Sequence, residues 1–108
     1  LIEQLPAAAL QAWLHDTNRD PPLILDVRER WEYEVCRISQ AQSIPMQEIT
    51  ERIADLPQRE NIVVVCHHGM RSLQVAQYLE SLGFTSVYNL SGGIAAWADQ
   101  VEPAMPRY

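Results

Sequence analysis

Cys66 is the residue of this chain best placed to do chemistry. It ends the run Ile62-Val63-Val64-Val65, and His67-His68-Gly69-Met70-Arg71-Ser72 follows it. A run of β-branched residues reads as a strand covered on both faces. Leu73, Ala76, Leu79 and Leu82 then recur at helical spacing, with Gly83 placed as the C′ residue. A short loop therefore joins strand to helix, and Gly69 can take the positive φ that a tight wrap needs. Such a wrap points successive N–H groups at one spot. The helix N-terminus adds about half a positive charge there, and Arg71 adds a full one. An unperturbed thiol ionises near pH ~8.5, and each of these features lowers that value. The chemistry expected is nucleophilic attack by a Cys66 thiolate on an anionic or thiol-bearing substrate. The competing reading is a small buried hydrophobe at a strand end. Gly69 and Arg71, placed just before a helix, weigh against it.

Alternating strands and helices must position that loop. Leu10, Trp13 and Leu14 have helical spacing after Pro6. Leu23-Ile24-Leu25, bounded by Pro22 and Asp26, reads as a buried strand, and Glu29 to Val35 as a short helix. Ile49, Ile53 and Leu56 form a helical stripe that Pro57 ends. Val87 to Leu90 is another strand, and Ile94 to Ala98 a last short helix. This alternation predicts an α/β fold, a parallel sheet with helices on both faces. In such sheets chemistry gathers at the carboxyl ends of strands. Asp26-Val27-Arg28, the Cys66 to Ser72 loop and Ser91-Gly92-Gly93 should then share one edge.

Each residue near that edge has an ordinary role beside a functional one. Asp26 is read as an Asx-type cap of the following turn, with an acid near the cysteine as the alternative. Arg28 could steer anions, but an ion pair with a nearby Glu is favoured. Ser72 can cap the loop, bond the thiolate, or both. His67 and His68 sit at the pocket mouth, able to attract an anion when protonated. Adjacent histidines diverge and no other cluster has ligand spacing, so no metal is expected. Met70 is read as an apolar rim or an exposed loop residue. Trp13, Trp31 and Trp97 are assigned to packing.

Composition narrows the function classes. The chain has 108 residues, 47% of them hydrophobic and 20% charged, which suits one folded domain. The longest apolar run is Ile62 to Cys66, so no transmembrane helix fits. The net charge is −6, and all eight basic residues are arginine. That balance excludes nucleic acid and anionic membrane surfaces as expected partners. A local nest of N–H groups can still hold a small anion. Two cysteines make no disulfide scaffold. No leader is read at the start, a reducing cytosol is the expected compartment, and a monomer is the expected state.

Three stretches carry a family resemblance. Cys66-His67-His68-Gly69-Met70-Arg71 resembles the Cys-x-x-Gly-x-Arg active loop of the rhodanese-like sulfurtransferases. Leu25-Asp26-Val27-Arg28-Glu29, followed by Trp31-Glu32-Tyr33, resembles the family's Asp-x-Arg-Glu stretch. Gly92-Gly93-Ile94-Ala95-Ala96-Trp97 resembles its Gly-Gly-x-x-x-Trp signature. The resemblance implies one rhodanese-like domain over residues 1–108, with 102–108 as an irregular tail. It implies a three-layer α/β/α fold around a five-stranded parallel sheet, Ile2 to Gln4 supplying the first edge strand. One stretch departs: Arg37-Ile38-Ser39-Gln40-Ala41 stands where members often have His-Ile-Pro-Gly-Ala, which implies an altered turn.

The activity implied is that of a thiosulfate sulfurtransferase. Cys66 takes the outer sulfur of a donor such as thiosulfate, and sulfite leaves. The Cys66 persulfide then passes its sulfur to cyanide or a cellular thiol. The N–H groups of His67 to Ser72 would hold the anionic persulfide, and Arg71 would stabilise the loop or meet the donor's sulfonate. No cofactor is implied. A protein-to-protein sulfur relay is the second reading, with a relay protein as partner. A non-catalytic interaction domain is disfavoured by the presence of both Cys66 and Arg71. Related cysteine phosphatases resemble Cys-x-x-x-x-x-Arg, one residue longer, so phosphatase or arsenate reductase ranks low. Cys36 could resolve an oxidised or persulfidated Cys66, but packing is its expected role.

Overall fold

The computed structural model describes residues 2–108. The element order is β1 (Glu3–Leu5), α1 (Ala7–His15), β2 (Leu23–Asp26), α2 (Arg30–Val35), β3 (Gln42–Ser43), a 3₁₀ segment (Met46–Asp55), β4 (Ile62–Val65), α3 (Met70–Ser81), β5 (Val87–Leu90) and α4 (Gly93–Gln100). The five strands form one parallel sheet in the order β1-β5-β4-β2-β3. The chain leaves β2 toward one edge and β4 toward the other. The switch point, where open α/β sheets place ligands, thus lies between the carboxyl ends of β2 and β4. Asp26 pairs in register with Val65 at that point, so the Asp26 turn and the Cys66 loop leave the sheet side by side.

Alternation along β4 builds two cores. Val63 and Val65 face a cluster with Leu10, Trp13, Ile94 and Trp97. Ile62, Val64 and Cys66 face the other, with Val75, Ala76, Leu79 and Phe84. All four residues of β4 are fully buried, as a central parallel strand requires.

The structure refines several expectations. The edge strand is Glu3–Leu5, one residue later than Ile2 to Gln4. Ile49 and Ile53 of the stripe lie on a 3₁₀ segment rather than an α-helix, and Leu56 is the cap residue that follows it. On α3 the buried face is Ser72, Val75, Ala76 and Leu79, while Leu82 is exposed beside Gly83. Trp13 and Trp97 are buried, but Trp31 is 53% exposed. The six-residue α2 turns Glu32 inward, and that leaves its neighbour on the solvent side. The divergent stretch closes as a turn with Ala41 N–H on the Ile38 carbonyl at 3.0 Å, and no residue in it needs a positive φ. Residues 102–108 are irregular, yet Met105 is buried and the tail folds back over α2 and the Cys66 loop.

Candidate active site

The cysteine loop is shaped from both sides. Gly69 takes φ +103, which turns its N–H back onto Cys66 Sγ at 3.1 Å. On the outer side, Ile94 N–H bonds the Cys66 carbonyl at 2.9 Å and Ala95 N–H the His67 carbonyl at 3.0 Å. The first amides of α4 thus draw the loop's carbonyls outward, and its N–H groups are left facing the sulfur. Gly93 permits that approach: a Cβ there would stand 2.4 Å from both carbonyl oxygens.

Cys66 itself is 1% exposed. Burial pushes its thiol up. The Ser72 hydroxyl and the backbone N–H groups of Ser72, Gly69 and His68 more than reverse that, so the thiol ends below its ordinary value. Ser72 is also fully buried, with Oγ 3.3 Å from Sγ. His68 is exposed and stacks on His67 with ring centroids 4.2 Å apart. Burial, and then the neighbouring His68, push His67 down, which disfavours an imidazolium at the mouth. Met70 is 72% exposed at the rim. Among the described residues no group of three or more His, Cys, Asp or Glu is disposed to hold a metal ion.

Arg71 is committed to α2. Its Nη1 and Nη2 meet Glu32 Oε1 and Oε2 at 2.7 and 3.0 Å. The Arg71 guanidinium holds the Glu32 carboxyl down to about 2, against a burial that would raise it. Glu32 Oε1 also accepts the Glu29 N–H, closing a capping box on α2.

Asp26 and Arg28 sit behind this layer, not in it. Asp26 forms the expected Asx-type turn, accepting the Arg28 N–H at 3.1 Å. The anion-steering reading of Arg28 is overturned, since the side chain is completely buried. Its ion-pair partner is Asp26 at 2.6 Å rather than a Glu; Glu32 offers it only a backbone carbonyl. The remaining guanidinium N–H groups reach the Cys36 carbonyl and the Tyr108 hydroxyl. A buried guanidinium needs every donor met, and this one is enclosed by acceptors. Cys36 is buried in the cluster on the opposite face of the sheet from Cys66, as packing requires.

Three residues of this neighbourhood escaped sequence reasoning: Glu32, Asn89 and Tyr108. Asn89 had a signal, a polar residue inside the strand Val87-Tyr88-Asn89-Leu90. Glu32 had a weaker one, the Glu29-x-x-Glu32 spacing before a helix. Tyr108 had none, because its partners lie far back in the chain. Its hydroxyl donates to Glu32 Oε2 at 2.8 Å and accepts from Arg28 at 2.9 Å.

Known proteins resemble this chain in sequence and in fold. The rhodanese-like domain family model matches residues 7–100. A sulfurtransferase of Allochromatium vinosum is 34% identical over 91% of this chain and 90% of its own length. The chloroplastic rhodanese-like/PpiC domain-containing protein 12 of Arabidopsis thaliana is 35% identical over 100% of this chain. The chain spans only 40% of that relative, and 25% and 54% of two other curated relatives it matches. The crystal structure of a rhodanese-like domain protein from Staphylococcus aureus superposes with a TM-score of 0.84 at 31% identity, covering 93% of this chain and 95% of that one. With its parallel sheet, its cysteine loop and these matches taken together, the chain belongs to the rhodanese-like domain family.

Proposed function

We propose that this chain is a sulfurtransferase that works through a persulfide on Cys66. The observation that carries the reading is the cradle itself. A buried sulfur receives the Gly69 N–H at 3.1 Å, with further backbone N–H groups converging on it. The Cys66 thiolate attacks the outer sulfur of thiosulfate or of a persulfide donor. The S–S bond of the donor breaks, and its electron pair leaves with sulfite or the donor thiolate. The new outer sulfur carries the negative charge, and the N–H groups of the loop are the donors available to it. A thiol or cyanide acceptor then attacks that sulfur, and the Cys66 thiolate is regenerated. Neither half needs an external oxidant or a cofactor.

Arg71 takes the loop-stabilising role in this scheme, because its fork is occupied by Glu32. Its charge still favours the thiolate from one side of the loop. The five-position spacing from Cys66 to Arg71 gives a cradle sized for one sulfur rather than a tetrahedral phosphate. A thiol on a partner protein is an equally suitable acceptor, since Met70 and Trp31 expose apolar surface beside the loop.

Intact-mass spectrometry after thiosulfate treatment without reductant tests the proposal. Wild type should gain one sulfur, about 32 Da, and Cys66→Ser should gain none. A gain that persists in Cys66→Ser would overturn the assignment. Absence of any gain with thiosulfate and with low-molecular-weight persulfides would overturn the sulfurtransferase reading.

A further inference from the structure

The polar chain behind Cys66 has a direction. Asn89, in β5, is 2% exposed and touches three polar groups. Its Nδ2 lies 3.1 Å from the Gly69 carbonyl and 2.9 Å from Gln4 Oε1. A carbonyl only accepts, so the amide nitrogen must face it and the orientation of Asn89 is fixed. Asn89 Oδ1 therefore faces Ser72 Oγ, in a short contact. An amide oxygen also only accepts, so the hydrogen between them belongs to Ser72. A serine hydroxyl has one hydrogen. Toward Cys66 Sγ, 3.3 Å away, Ser72 is left presenting lone pairs. Those suit an S–H donor; a thiolate gains the stabilising Ser72 hydrogen bond only when that hydrogen leaves Asn89.

We propose that Asn89 is a positioning residue that competes with the Cys66 sulfur for the single hydrogen of Ser72. In the thiol form every group is satisfied: S–H donates to Ser72 Oγ, and Ser72 donates to Asn89 Oδ1. When the thiol ionises, its proton going to solvent base, the Ser72 hydrogen turns to the sulfur. Asn89 Oδ1 then loses its donor in a buried site, which has a free-energy cost. The backbone N–H groups favour the thiolate whichever way Ser72 points. Asn89 therefore keeps the thiol less acidic than its cradle alone would make it. That matters for a nucleophile, because thiolate reactivity falls as thiol pKa falls. Ser72 and Asn89 are neutral, so the effect is one of hydrogen-bond direction. The charged groups around the loop are Arg71 of α3 paired with Glu32 of α2 and Asp26 paired with Arg28 after β2, and the titratable side chains at its mouth are His67, His68 and Tyr108.

The inference rests on Cys66 as the nucleophile, but its readout is the titration of that thiol and needs no sulfur transfer. The experiment follows the pH dependence of Cys66 alkylation by iodoacetamide, located by mass spectrometry, in folded protein. Asn89→Leu removes the acceptor at similar volume, and Asn89→Ala serves if the leucine variant does not fold. Either should lower the apparent pKa of Cys66 by about one unit, a tenfold rise in thiolate fraction on the acid side. In a Ser72→Ala background the same substitution should change nothing, because the hydrogen in dispute is gone. An unchanged or raised value in the single variant would overturn the proposal. So would an equal fall in the Ser72→Ala background, since Asn89 would then act without Ser72. Loss of sulfur loading with the expected titration intact would strike the sulfurtransferase reading and leave this one standing.

Discussion

Glu32 joins three segments that are distant in sequence. Its carboxylate meets Arg71 at two points, accepts the Tyr108 hydroxyl and caps its own helix. The carboxyl is depressed from 4.5 to about 2, with the Arg71 hydrogen bonds as the largest cause. A folded-state value below the unfolded one means stability that is present above the unfolded pKa and lost as pH falls through the folded one. That shift corresponds to about 3 kcal/mol at neutral pH. Glu32→Gln should therefore be less stable than wild type at pH 7, by roughly 1–3 kcal/mol in urea unfolding. The gap should close as pH falls from about 4.5 toward 2, since wild type then loses the same charge. A gap that stays constant across that range would mean that packing, not the ion pair, is what Gln disturbs. Arg71 keeps its place in the cysteine loop through this pair, so stability and loop geometry rest on one carboxylate.

The loop's shape comes from α4 as much as from its own residues. Gly93 adopts φ +60 and brings the first amides of α4 onto the Cys66 and His67 carbonyls. Gly93→Ala would set a methyl 2.4 Å from two backbone oxygens, which no rotamer change relieves. The substitution should cost at least about 2 kcal/mol, read as a lower urea midpoint at unchanged m. It should also slow Cys66 alkylation, because a displaced loop no longer aims its N–H groups at the sulfur. A variant with wild-type stability and wild-type alkylation would show that the helix need not approach so closely. Gly92-Gly93 was recognisable through the family resemblance, and the contact between α4 and the loop shows what Gly93 does there. Central elements were also readable: β4 declares itself by a buried β-branched run and α3 by its helical spacing and Gly83, although the buried face of α3 is Ser72, Val75, Ala76 and Leu79. What was not readable depends on distant partners. β1 has three residues with only Leu5 buried, so its pattern carries no period. For Arg28 an ion pair was the favoured reading, but its partner was placed on a Glu, because sequence does not show that Asp26, Cys36 and Tyr108 enclose it.

The tail shows what only the complete tertiary arrangement decides. Residues 102–108 have no regular structure, yet Tyr108 packs edge-on against His67 and Trp31 at 4.3 and 5.3 Å. Burial, with the Glu32 carboxylate beside it, pushes its phenol up to about 12, so the hydroxyl keeps its proton across the physiological range. That proton goes to Glu32, and the oxygen accepts from Arg28. Beneath the tail lies a cavity of about 90 Å³ bounded by Cys36, His67, Ile94, Pro106 and Tyr108. Residues 102–108 thus cover the second thiol, held by the buried Met105, the Arg107–Asp99 ion pair and the Tyr108 phenol. Tyr108→Phe keeps the ring and removes the hydroxyl. It leaves an N–H of the buried Arg28 without an acceptor, a loss of about 1–2 kcal/mol. Much of that loss should fall on the tail, because local opening exposes the stranded donor to water. Iodoacetamide labelling of Cys36 should then accelerate about fivefold or more, while Cys66 labelling stays close to wild type. Equal labelling of Cys36 in the two proteins would mean that the tail is fastened without the phenol hydroxyl. Faster labelling of both thiols would mean that the phenol supports the Cys66 loop itself, through Glu32 and Arg71.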